Sequence, residues 1–145
     1  MRTHNFIRQL EHDRITQAIK KAEAKSSGQI RVFLQRGKFE EDALERAQRK
    51  FIQLGMEKTQ ERNAILIFVA PRQQKFAVVG DKAVHQKCGE KFWQDLVARM
   101  RAHFLREDFT QALVEGIEAT GGLLAKYFPR TGPAPNELPD EIVEG

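Results

Sequence analysis

The apolar positions of the chain change period several times, and each change predicts an element. From Asn5 to Lys25 the residues Phe6, Ile7, Leu10, Ile15, Ala18, Ile19 and Ala22 recur at spacings of three, four and their multiples. That period places them on one stripe of a first helix. Ser26-Ser27-Gly28 then interrupts it, and Ile30-Arg31-Val32-Phe33-Leu34 reads as a strand closed by Gly37. Helical spacing returns over residues 40–54 through Ala43, Leu44, Ala47, Phe51 and Leu54, with Gly55 where a C-cap favours positive φ.

The run Ala64-Ile65-Leu66-Ile67-Phe68-Val69-Ala70 is apolar without interruption, as in a strand buried on both faces, and predicts the central strand. Pro71-Arg72-Gln73-Gln74 is a turn, and Lys75-Phe76-Ala77-Val78-Val79 returns as an antiparallel partner. Asp81 is placed to cap a short helix over Lys82–Lys87. Phe92, Trp93, Leu96, Val97, Met100 and Phe104 form the stripe of the next helix. Asp108 with Gln111 resembles a capping box opening a last helix, which carries Leu113, Ile117, Leu123, Leu124 and Phe128 and ends at Pro129. The expected fold is therefore α/β, a three-layer α/β/α sandwich around a small mixed sheet of three to four strands. Residues 1–130 form its one domain, and 131–145 an extended acidic tail with Pro133, Pro135 and Pro139.

Composition agrees with one globular core: 145 residues, 41% hydrophobic and 30% charged. The net charge of +4 is uneven, because all 24 Lys and Arg and only 16 of the 20 acidic residues precede residue 131, leaving the body at +8. Such a field suits phosphate groups, an acidic partner or nucleic acid, but the basic residues are scattered as on solvated helix faces, so nucleic-acid binding is a minor alternative. The N-terminus MRTHNFIRQLEHDR is charged every few residues, unlike a secretory signal, and no stretch approaches a membrane span. With the single Cys88, which forbids an internal disulfide, this predicts a cytoplasmic protein.

Familiar phosphate-binding and zinc-protease motifs are absent. Cys88 has Gln94, not Arg, six positions on, and His85 with Cys88 supplies only two of the three or four ligands that zinc needs. A better constellation follows from topology. A right-handed crossover makes the first two strands parallel and the hairpin makes the third antiparallel, so two strand starts and one strand end share an edge. That edge gathers Ser27, Gln29, Glu61, Asn63, Gly80 and Asp81, with Asp108 added if its helix starts there. These are oxygen donors, the preference of Ca²⁺ or Mg²⁺. Asp81 and Asp108 also read as helix N-caps, and Asn63 as a turn residue before a strand.

The stretches Glu61-Arg62-Asn63-Ala64-Ile65-Leu66-Ile67-Phe68-Val69-Ala70, Lys75-Phe76-Ala77-Val78-Val79-Gly80-Asp81 and Arg106-Glu107-Asp108-Phe109-Thr110-Gln111-Ala112-Leu113-Val114-Glu115-Gly116 together resemble the TPM-domain family over residues 5–128, in its short bacterial branch. The resemblance implies an α/β/α sandwich, binding of a divalent cation such as calcium, an acid phosphatase activity ascribed to a chloroplast member, and roles in maintaining membrane protein complexes such as photosystem II. The metal positions it implies are Asp81, Asp108 and Asn63, which join Gln29 and Glu61 on the edge. Where many members carry a second Gly and an acidic residue after the hairpin, this chain has Lys82 and Val84, and Gln29 replaces an acidic residue. With two carboxylates fewer, Ca²⁺ or Mg²⁺ binding is expected to be weak. The favoured expectation is a non-enzymatic binding or assembly module with a protein partner. A metal-dependent, acid-phosphatase-like hydrolase is the alternative.

Overall fold

The computed structural model describes residues 6, 9–130 and 142–145. Its elements in chain order are α1 (His12–Ala24), β1 (Ile30–Leu34), α2 (Ala43–Gln53), a 3-10 turn (Met56–Lys58), β2 (Ile65–Ala70), a second 3-10 turn (Pro71–Gln73), β3 (Lys75–Gly80), α3 (Lys82–Lys87), α4 (Glu90–Leu105), α5 (Phe109–Tyr127) and β4 (Val143–Glu144). The sheet order is β3-β2-β1-β4. β1 and β2 run parallel, with Ile30 opposite Ile65, and β2 and β3 run antiparallel, with Ile65 opposite Gly80.

All six residues of β2 are buried, as expected for a strand covered on both faces. Alternate side chains divide the core in two. Ile30, Val32, Leu34, Ile65, Ile67 and Val69 face α1, α4 and α5 through Ile15, Ile19, Leu96, Met100, Leu113 and Ile117. Phe33, Leu66, Phe68, Ala77 and Val79 face α2 through Ala43, Ala47 and Phe51. Helices thus cover both faces of a mixed four-stranded sheet, the fold class read from the pattern.

Three details depart from the sequence reading. The first helical pattern is not one helix: Phe6 and Gln9 are helical, Leu10 and Glu11 are not, and α1 starts at His12. At the break the Glu11 N–H donates to Thr110 Oγ1 at 3.0 Å, so a partner on α5 takes the amide that a continuous helix would use. Asp108 precedes α5, but its side chain makes no cap hydrogen bond. Gln111 Oε1 instead accepts from Arg14 Nη2 at 3.0 Å, which commits the second half of the expected capping box to α1. Most of the segment 131–145 lies outside the described residues, but its last part is part of the sheet. Val143 and Glu144 pair in parallel with Phe33 and Leu34. Gly55 has φ +72°, the left-handed turn expected after α2.

Candidate functional site: a polar sheet edge closed by an ion pair

The predicted edge exists. Ile65 N–H donates to Gln29 C=O at 2.8 Å and Asp81 N–H donates to Ala64 C=O at 2.9 Å, so the segments before β1 and β2 and after β3 lie side by side. Gln29, Asn63 and Asp81 are buried there, whereas Glu61 and Arg62 are exposed on the turn that leads into β2. Arg62 has φ +52°, a left-handed conformation that costs energy for a residue with a Cβ.

Asp81 is the single ionisable side chain among the buried polar residues described, and both of its carboxylate oxygens accept hydrogen bonds. Oδ2 accepts from Arg62 Nε at 3.0 Å and Oδ1 from Arg62 Nη2 at 3.3 Å. Oδ1 also accepts from the Lys82 N–H at 2.7 Å, which caps α3. The Arg62 C=O in turn accepts from Ala83 N–H at 3.1 Å, fastening the turn to the first residues of α3 on a second point. Hydrogen bonding to Asp81, reinforced by its negative charge, raises the Arg62 pKa above the ordinary guanidinium value. Arg62 therefore keeps its charge at any pH the protein would meet.

Strand alternation separates the other expected ligand. Ala64, opposite Asp81, belongs to the α2-side core, so Asn63, one residue earlier, belongs with Ile65 on the three-helix side. There Asn63 Nδ2 donates to Ser27 Oγ at 3.1 Å, and Asn63 Oδ1 is buried with no hydrogen-bond partner among the described residues. Asp108 is elsewhere. Its neighbours Glu107 and Phe109 line a cavity with Ala70, Pro71 and Lys75, at the end of β2 and the start of β3. The sixteen-residue rise of α5 from there to Leu124, beside Gly28, is about 24 Å. The structure thus brings Gln29, Glu61, Asn63 and Asp81 to one edge, sorts Asn63 and Asp81 onto different faces, and places Asp108 at the opposite end.

A resident Ca²⁺ takes six to eight oxygen ligands and Mg²⁺ a near-ideal octahedron. The donor set does not fit either ion: the one buried carboxylate is held by a guanidinium and a backbone amide, and the orphaned Asn63 oxygen points from the other side of the sheet. Among the described residues no three His, Cys, Asp or Glu side chains converge on a common point. A cation at Asp81 would compete with the Arg62 guanidinium for the same oxygens.

The opposite end holds a concavity of about 490 Å³ lined by Phe6, Phe76, Phe104 and Phe109 together with Lys75 and Arg101. The rings of Phe6 and Phe109 lie 4.6 Å apart and those of Phe76 and Phe104 4.9 Å apart. Sequence reasoning treated these phenylalanines as separate helix and strand positions; their aromatic character was the available signal, but not their meeting point. No helix among the described residues is long and apolar enough to cross a membrane.

The TPM-domain family model matches residues 1–123. The chain belongs to the TPM-domain family. Among solved structures it is similar to the NMR structure of the BA42 protein from the psychrophilic bacterium Bizionia argentinensis, with 36% sequence identity and a TM-score of 0.85. The alignment covers 94% of this chain and 96% of that one. No curated protein matches the chain. The TPM-domain frame thus accounts for the sheet and its helices.

Proposed function

We propose that this TPM-domain chain works as a non-enzymatic binding or assembly module. The observation that carries the reading is the state of Asp81. A carboxylate that serves as a general base or a metal ligand must turn a lone pair to its target, within about 3 Å. Both oxygens of Asp81 accept bonds from Arg62 or the cap of α3, which hold the group in a structural role. Its role is to fasten the entry of β2 to the exit of β3. Divalent cations would bind weakly at this edge, in competition with Arg62. The single thiol, Cys88, fits a reducing compartment, and the cytoplasm is the proposed location.

The test is capture of a protein partner by immobilised full-length chain, with Asp81→Asn as a second bait. The reading expects the same partner at near-equal yield from both baits, because the variant changes no binding surface. Loss of a cation-dependent small-molecule turnover in that variant, with no protein captured by either bait, would overturn it.

A further inference from the structure

The outer edge of β1 is covered by the short strand β4. Odd positions of β1 and its flanks bond to β2, as the Gln29 C=O and Gln35 N–H do, which turns the even positions outward. Two of these outward groups, the Leu34 C=O and the Arg36 N–H, are taken by one residue: Gly145 N–H donates to Leu34 at 3.0 Å and Gly145 C=O accepts from Arg36 at 2.6 Å. The strand that supplies them, β4, is only two residues long, against a mean of about five or six in globular sheets.

Each position of this short strand meets a distinct feature. Ile142 packs on the three-helix side of the core and Val143 on the α2 side. Glu144 Oε2 accepts from Arg36 Nη2 at 2.8 Å. At Gly145 an added Cβ would come within 2.7 Å of Phe33 Cζ, so a side chain there would have to push the Phe33 ring aside. Phe33 itself is fixed: it stacks on Phe68 at 6.0 Å, and Lys50 Nζ sits 4.7 Å from its ring centroid. Backbone bonds from an edge strand, combined with alternating side-chain requirements, are the general means by which sheets recognise extended peptides. The basic side chains beside this edge, Arg36 and Lys50, select for negative charge.

We propose that the outer edge of β1 docks an extended segment of a partner protein that runs parallel to β1 with the pattern aliphatic, β-branched, acidic, glycine, and that β4 is the resident occupant which the partner displaces. The proposal rests on the binding-module reading and names its surface. The resident segment is itself the template for the partner: it shows which residue type each position accepts.

The experiment uses the ¹⁵N-labelled full-length chain and an unlabelled synthetic peptide of residues 136–145. Gly145→Leu in the labelled chain disables the resident strand through the clash with Phe33 while leaving the body untouched. Saturable shifts of the Leu34 and Arg36 amides are expected, with affinity about fivefold or more higher for G145L than for the unchanged chain, because the competing occupant is removed. A peptide with Lys at the position of Glu144, and the variant Arg36→Glu in the chain, should each weaken the binding about threefold or more. No saturable shift in G145L at about 1 mM peptide would overturn the proposal. A full-length chain that dimerises by exchanging β4, detected by sedimentation, would also overturn it by assigning the edge to a second copy. If a captured partner is retained equally by R36E, this docking edge fails while the binding-module reading stands; if no partner is captured by any bait, that reading fails first.

Discussion

Replacing Asp81 and Asp108 separately by alanine distinguishes a structural bolt from a shared ligand set. Asp81→Ala removes the acceptor of the Lys82 N–H at 2.7 Å and so uncaps α3, a helix of six residues that has little stability of its own. Loss of such a cap costs about 1 kcal/mol, within a range of about 0.5–2. The freed Arg62 is exposed and finds water, so its lost ion pair adds little. For a domain of this size the cap alone corresponds to a fall in Tm of about 3–4 °C. Asp108→Ala removes no cap bond and should leave Tm within about 1 °C. Asp81→Asn keeps an oxygen for the Lys82 N–H but loses the charge, and should retain most of the stability. Thermal unfolding followed by circular dichroism reads all three. If D108A is as destabilised as D81A, or if Ca²⁺ raises the Tm of the unchanged chain but of neither variant, the two residues act together and the edge has been misread.

Four other outcomes follow from the same geometry. Arg62→Gln frees the Asp81 carboxylate, so millimolar Ca²⁺ should shift the Asp81 and Ala64 amides more in that variant than in the unchanged chain; an equal response would show that Arg62 does not compete. Burial raises the Cys88 thiol pKa, so alkylation by iodoacetamide at pH 8 should be slower than for a free cysteine until the chain is unfolded. By linkage, the same shift makes folding stability fall as pH rises past the unfolded thiol value, and a stability that rises there would contradict the assignment. Phe68→Ala, which empties a fully buried ring site stacked on Phe33, should cost about 3–5 kcal/mol in a denaturant titration. A loss below about 1 kcal/mol would mean that the α2-side core is not close-packed.

The sheet was legible because its strongest signal is local. The unbroken run from Ala64 to Ala70 and the turn at Pro71–Gln74 specify a buried strand and its hairpin without reference to the rest of the chain. The break before α1 was not legible, because its cause is Thr110, 99 positions away in sequence. β4 was hidden for a related reason. Ile142 and Val143 are good strand residues, but two positions among prolines and acids carry no period, and only the edge of β1 gives them a place.

The polar edge followed correctly from strand direction, since the parallel crossover and the hairpin fix which ends meet. Which face each side chain takes required the register: Asp81 opposite Ala64 separates it from Asn63. Asp108 was misplaced because the start of a helix says nothing about which end of the sheet it lies over. The packing of Phe104 and Phe109 against Phe6 and Phe76 decides that. Nor could spacing reveal that Arg62, a residue of the family-like stretch, would turn back on Asp81.

The central claim, that the edge is closed by an ion pair and the chain binds instead of catalysing, is tested most directly by hydrolysis of p-nitrophenyl phosphate. The assay compares the unchanged chain with D81N in the presence of Ca²⁺, Mg²⁺ or Mn²⁺. The account predicts the same residual rate for both proteins with every ion. A cation-dependent turnover that D81N abolishes while its fold is retained would contradict it.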